Sequence, residues 1–261
     1  MLATDLPETA LPRLYLCGRV TVEYRGRLVS ERELGGRQGR LLLAFLGTRR
    51  TQGSSKAEII EGVWGSRTPP SAETAINSLV SKLRSALRTI GIASPHGIAT
   101  AAGVYQFGIP AAWVDIECAR TSLDRAEGAL RNDDLCAAWA NANVAGAITR
   151  QAFLVDDDLP WVAQQRVILA RVWRRALLVL SVVSTRNGEF ELGIQHASEA
   201  LTAEPFDEIA CQTLMRAHAA AGNRAEALRV YASCRTLFRE ELGADPSERT
   251  QAVFLEILRA D

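Results

Sequence analysis

Apolar residues recur through Thr74–Arg88, TAINSLVSKLRSALR, at Ile76, Leu79, Val80, Leu83 and Leu87. This is the i, i+3, i+4, i+7, i+11 spacing of a single helical stripe. At about 100° per residue, Thr74, Asn77, Ser81, Arg84, Ser85 and Arg88 fall on the opposite side, with Ser78 and Lys82 at its edge. No carboxylate follows Glu73 before Arg88. A solvated helix gains from mixing signs at i, i+4, and this one does not mix them.

The pattern around that helix changes period. RLYLCGRVTVEYRGRLV alternates and carries Gly18 and Gly26, which predicts short strands joined by turns. After Gly35 and Gly36, a first helix is predicted over Arg37–Leu46. A second follows over KAEIIEGVWG, with Ser54 and Ser55 available as caps. SRTPPS is a proline-stiffened loop, and IATAAGVYQFGIP reads as a hairpin turning near Ala102–Gly103. Strands, three helices and a closing hairpin in residues 1–110 predict a winged helix-turn-helix, an α+β domain. In that fold the third helix enters the major groove and the hairpin forms the wing.

Residues 111–261 read as almost entirely helical. Helices are predicted over Asp115–Leu130, Asp133–Ile148, Leu159–Arg186, Glu189–Leu201, Asp207–Ala221, Ala225–Leu242 and Ser247–Arg259, separated by RNG, EPFD, AGN and GADPS. Gly188 and Gly222 lie 34 residues apart, as do Leu180 and Leu214, and Ile194 and Leu228. Thirty-four residues is the tetratricopeptide period, so an all-α, tetratricopeptide-like domain is expected.

Composition narrows the function. The 261-residue chain has zero net charge, but residues 1–110 hold 14 Lys+Arg against 8 Asp+Glu, a net of +6, and residues 111–261 carry the compensating −6. A basic half joined to an acidic half fits a polyanionic partner for the first half only. No apolar run approaches a membrane span of about 18 residues. The first residues are acidic and proline-containing where a leader would be basic and then apolar, so a soluble, cytoplasmic protein with no membrane partner is expected. Five scattered cysteines form no CxxC pair and read as reduced thiols. His96, His196 and His218 lack metal-ligand spacing, and three consecutive aspartates in VDDD, residues 155–158, lack the alternation and glycine of a calcium loop; that segment reads as an exposed acidic loop. No phosphate-binding loop, nucleophile elbow or metalloprotease motif occurs, so neither catalysis nor a cofactor or metal is expected.

Several segments then resemble a known family. EGVWG with TPPSAETAINSLVSKLRSAL, the segment DDLPWVAQQRVIL, and the distal LMRAHAAAGNRAEALRVYASCRTLFREELGADPSERTQAVFLEIL are similar to the SARP (Streptomyces antibiotic regulatory protein) transcriptional activators. These join an OmpR-like winged helix to a bacterial transcriptional activator domain. The resemblance implies a DNA-binding activator that recognises direct repeats in promoters as a side-by-side pair with itself. It also implies contact with RNA polymerase, including its sigma factor, at a secondary-metabolite biosynthetic gene cluster. The length leaves room for these two domains and no appended ones, so a small stand-alone member is expected.

The residues follow from this placement. Asn77 has the donor–acceptor pair that suits adenine, Arg84 suits guanine or phosphate, and Ser81 and Ser85 suit either bases or phosphates. Lys82 and Arg88 suit the DNA backbone, with Thr74 and Ser78 completing the face; Ser81, Lys82 and Arg84 also match the family motif. Arg37 and Arg40 open the first helix as phosphate contacts or as plain surface arginines. Trp64 is read chiefly as packing, with an indole N–H available to phosphate, and Thr100 as a wing contact. Arg67 and Thr68 occupy the loop expected to meet polymerase. The wing carries no Lys or Arg between Ile92 and Pro110, unlike its relatives, and Tyr105 and Phe107 read as hairpin core. A protein-interaction scaffold whose winged helix does not read DNA is the competing reading; it does not require cations on a carboxylate-free face.

Overall fold

The computed structural model describes residues 11–93, 97–109 and 111–260. The first residues, read above for a leader, and His96 lie outside them. The chain divides into two compact units, residues 1–118 with 151–169, and residues 119–150 with 170–261. The sequence reading draws its boundary at 110/111; the first unit runs eight residues further and adds a segment from beyond it.

The first unit is a winged helix. Strands β1 (Arg13–Tyr15), β2 (Thr21–Tyr24) and β3 (Arg27–Val29) form an antiparallel meander, and β7 (Trp113–Val114) joins β1 in parallel, giving the order β3-β2-β1-β7. Leu14 pairs with Val22 and Val22 with Val29, so one face of the meander is wholly apolar and buried. Helices α1 (Gly36–Thr48), α2 (Lys56–Trp64) and α3 (Ala72–Thr89) follow. Leu41 through Leu46 are all buried, which makes α1 the central helix rather than an amphipathic surface one. Gly62 of α2 sits against Phe45: a Cβ there would approach the ring to 2.7 Å, so the two helices meet at this distance only because the residue is glycine.

Ser55 caps α2 in a reciprocal pair with Glu58. Ser54 and Ser55 also form strand β4, which pairs with β6 (Val104–Phe107); β6 in turn pairs with β5 (Ile98–Ala101). The wing is thus a three-stranded sheet pinned to the start of α2, a tie not evident from the serines' capping role. Its turn is the Ala102–Gly103 pair, both with positive φ, the geometry of a two-residue hairpin turn.

Residues 151–169 clip onto this unit. Cys17 bridges Phe153, Gly18 N–H donates to the Ala152 carbonyl at 2.7 Å, and Trp161 Nε1–H donates to the Gly62 carbonyl at 2.8 Å. The Trp161 ring meets Phe45 and Phe153 edge-on. Asp157 is fully buried, so the expected exposed acidic loop is corrected: only Asp156 and Asp158, 81% and 98% exposed, face water. The reason is a pairing across 117 residues, described below.

The second unit stacks helices in sequence order. It takes α4 (Asp115–Arg131) from Ala119 onward, α5 (Leu135–Thr149), α6 (Pro160–Arg186) from Ala170 onward, α7 (Phe190–Ala203), α8 (Glu208–Ala220), α9 (Arg224–Leu242) and α10 (Glu248–Arg259). Its core is a chain of local clusters. Ala126, Ala138, Ala142, Val179, Leu180 and Val183 join α4, α5 and α6; Leu177, Ala200 and Ala210 join α6, α7 and α8; Met215, Tyr231, Phe238, Val253 and Ile257 join α8, α9 and α10. Such nearest-neighbour burial is how tetratricopeptide-like units hold together. The Gly188 and Gly222 turns repeat in detail: each glycine N–H donates three residues back, and the next N–H donates five back. Asp133 makes the same turn at φ 62°, a third instance hidden in sequence because it is not glycine.

Candidate nucleic-acid interface

Helix α3 buries Ile76, Leu79, Val80, Leu83 and Leu87 against the unit's core, as its stripe predicts. That rotation fixes what it shows to solvent. Thr74, Asn77, Ser78, Ser81, Lys82, Ser85 and Arg88 are exposed, and Arg84 is half-buried. Glu73, the only carboxylate at this end, faces Lys56 at 3.5 Å. Among the described residues, no carboxylate pairs with Lys82 or Arg88. The exposed face therefore carries uncompensated positive charge and small polar groups short enough to permit close approach of a flat ligand edge.

Arg84 has a task the sequence did not reveal. Its Nε and Nη2 donate to the Ile98 carbonyl at 3.0 and 2.9 Å, and Nη2 also donates to Thr100 Oγ1 at 2.8 Å. The guanidinium links α3 to the first strand of the wing. Tyr105 adds a second tie: its ring is buried as expected, and its hydroxyl donates to Asn77 Oδ1 at 3.4 Å. A wing with no cation of its own thus lies against one supplied by α3. Thr100 is exposed beside Arg84, and Trp64 is 9% exposed, placed in the core.

The arginines of α1 are placed differently from each other. Arg40 donates through Nη2 to Asp157 Oδ2 at 2.7 Å, lies 3.7 Å from Glu31, and is only 15% exposed. Its reading as a phosphate contact is corrected: a guanidinium enclosed by carboxylates is already neutralised. Arg37 Nε lies 2.6 Å from Asp157 Oδ1, but its side chain is 54% exposed and borders solvent at the helix N-terminus. Arg67 and Thr68 are exposed on the Gly65–Arg67 3₁₀ turn, where Thr68 Oγ1 donates back to the Gly65 carbonyl at 2.9 Å.

The junction after the wing contains a buried carboxylate that sequence reasoning passed over. Asp115 Oδ2 accepts from Leu16 N–H and Cys17 N–H, both at 2.8 Å, and Oδ1 from Ile116 N–H at 2.7 Å. Burial pushes its carboxyl above the usual range, opposed by those three donors. Among the described residues no cluster of His, Cys, Asp or Glu could hold a metal ion, and no helix is long and apolar enough to cross a membrane.

Known proteins match this arrangement. Residues 114–258 match the bacterial transcriptional activator domain. Two curated relatives, both the regulatory protein AfsR, are 31% identical over 229 residues (Streptomyces coelicolor) and 29% identical over 233 residues (Streptomyces griseus), each covering 87% of this chain. The chain spans only 22% and 23% of their length. The solved structure of Mycobacterium tuberculosis EmbR, in complex with a low-affinity phosphopeptide, superposes with a TM-score of 0.86 at 22% identity, over 96% of this chain and 66% of that one. That likeness establishes the fold, a winged helix followed by tetratricopeptide-like helices. With the domain match over its larger half, the chain belongs to the bacterial transcriptional activator domain family, and its sequence is similar to that of the AfsR regulators.

Proposed function

We propose that the protein is a sequence-specific DNA-binding activator. It binds direct repeats in promoter DNA as a side-by-side pair and recruits RNA polymerase, sigma factor included, at a secondary-metabolite gene cluster. The observation carrying this reading is the exposed face of α3, where Lys82 and Arg88 meet no carboxylate among the described residues and the helix carries none after Glu73. In this reading Asn77, Ser81 and Ser85 meet base edges, with Thr74 and Ser78 at the margin. Lys82, Arg88, Arg37 and Thr100 meet phosphates. Arg84 sets the angle between α3 and the wing and offers its remaining N–H groups to DNA. The Arg67–Thr68 turn contacts polymerase, and the division of labour follows residues 1–110 and 111–261.

The test is a gel-shift titration of the chain against its own upstream region across a salt series, followed by footprinting. Binding is expected with log K falling linearly in log[salt], about 0.9 per phosphate contact. Absence of any shift at low salt would favour a protein-interaction scaffold instead.

A further inference from the structure

Three helices of the second unit line an open groove of about 770 Å³, within the range of roughly 300–1,000 Å³ typical of small-molecule sites. Its floor comes from α6, where Trp173, Leu177 and Leu180 follow at i, i+4 and i+7 and so share one face. Gly146 of α5 and Ala203 of α7 are too small to fill it.

One wall carries an unpaired cation. Arg150, the C-cap of α5, lines the groove, and its guanidinium has no partner among the described residues. The two arginines that follow Trp173 on α6 are engaged: Arg174 pairs with Asp207 at 2.9 Å and Arg175 with Glu127 at 2.7 Å. His196 of α7 lines the groove as well. Burial lowers the imidazole pKa, against the opposing pull of Glu199, so the ring is neutral near pH 7.

Helix α5 points the same way. None of its 15 residues is charged, yet Trp139 and Val144 are 49% and 43% exposed. Trp139, Asn143, Ala147 and Arg150 lie at i, i+4, i+8 and i+11, so this uncharged stripe runs to the cation at its end. A helix that faced only water would carry charges there.

We propose that this groove binds a small amphipathic monocarboxylate, with its apolar body against the half-buried Trp173 and its carboxylate on Arg150. Glu199, on the α7 wall, repels a second negative charge and so selects a monoanion. The site is independent of DNA.

Calorimetric titration of the full chain with decanoate and with 4-phenylbutyrate, each against its primary amide, tests the assignment. Each acid is expected to bind one site about tenfold more tightly than its amide. Arg150→Gln is expected to erase that difference while amide binding persists; Arg150 is exposed, and circular dichroism checks that the variant is folded. Trp173→Ala is expected to weaken acid and amide alike. The proposal is overturned if neither acid binds at millimolar concentration, if acid and amide bind equally, or if Arg150→Gln keeps the discrimination.

Discussion

Helices α1 and α3 of the first unit both present cations on their outer faces, and the two sets have different fates. Arg40 of α1 is enclosed by Asp157 and Glu31, and Arg37 leans on the same aspartate. On α3, Lys82 and Arg88 meet no carboxylate among the described residues, and Arg84 is held only by a neutral carbonyl and hydroxyl. In the linear sequence the two groups look alike. What separates them is whether a distant acid folds back. Asp157 lies 117 residues beyond Arg40 and turns a candidate phosphate contact into a structural joint. A cation left with neutral partners keeps its charge available to an outside polyanion; one locked to a buried carboxylate does not.

The largest effect should come from the joint. Asp157→Asn leaves Arg40 half-enclosed without its main counter-charge, and should lower stability by roughly 3 kcal/mol, read as an earlier urea transition of the first unit. A loss below about 1 kcal/mol would erase the contrast drawn here, because Arg40 would then be no more committed than Lys82.

Arg84→Ala comes next. It removes three hydrogen bonds to β5 and a positive charge together, and should weaken binding to a footprinted site by about 1–3 kcal/mol. Arg84→Lys should recover little of this, since a point-like ammonium cannot reproduce the planar fork. An unchanged footprint and affinity in both variants would remove Arg84 from the interface.

Lys82→Ala and Arg88→Ala are expected to act on phosphate contacts. Each should flatten the salt dependence of log K by about one contact while leaving footprint position unchanged. A shifted footprint would instead make either residue a reader of bases. The smallest effect is expected for Arg37→Ala: its side chain is 54% exposed, so stability should fall by less than about 1 kcal/mol, measured in the same urea titration. A larger fall would place Arg37 with Arg40 as part of the joint.

Local pattern made much of this molecule legible. The expected α3 face, with Ile76, Leu79, Val80, Leu83 and Leu87 inward, is the face observed, because a five-residue stripe admits only one rotation that buries it. The hairpin turn falls at Ala102–Gly103 as read, since a two-residue turn demands a positive φ that glycine readily accepts. The same reasoning placed a break after Leu130 but opened the next helix at Asp133, which is instead the left-handed residue of the turn. It also missed β4 and β7, two-residue strands too short to carry a period.

At the candidate interface the exposed face of α3 was legible in the sequence, and the connections of its residues were not. Nothing near Arg84 in sequence announces that its fork closes on the Ile98 carbonyl, or that Tyr105 reaches Asn77. VDDD shows the same limit. Three identical side chains in a row end up 81%, 0% and 98% exposed, because the middle one is buried against the arginines of α1 while Asp156 approaches Arg40 only at 3.9 Å.

By itself, the sequence determined helix positions and faces and the family, since these rest on spacing within a few residues and on motifs read along the chain. Only the tertiary structure decided which cations are neutralised, that residues 151–169 pack with the winged helix, and that Arg150, Trp173 and His196 share one groove. The physical reason is range. Burial of an apolar stripe is a one-body preference written into each segment, whereas an ion pair or a pocket exists only where distant segments meet, and its energy depends on the partner's position and desolvation.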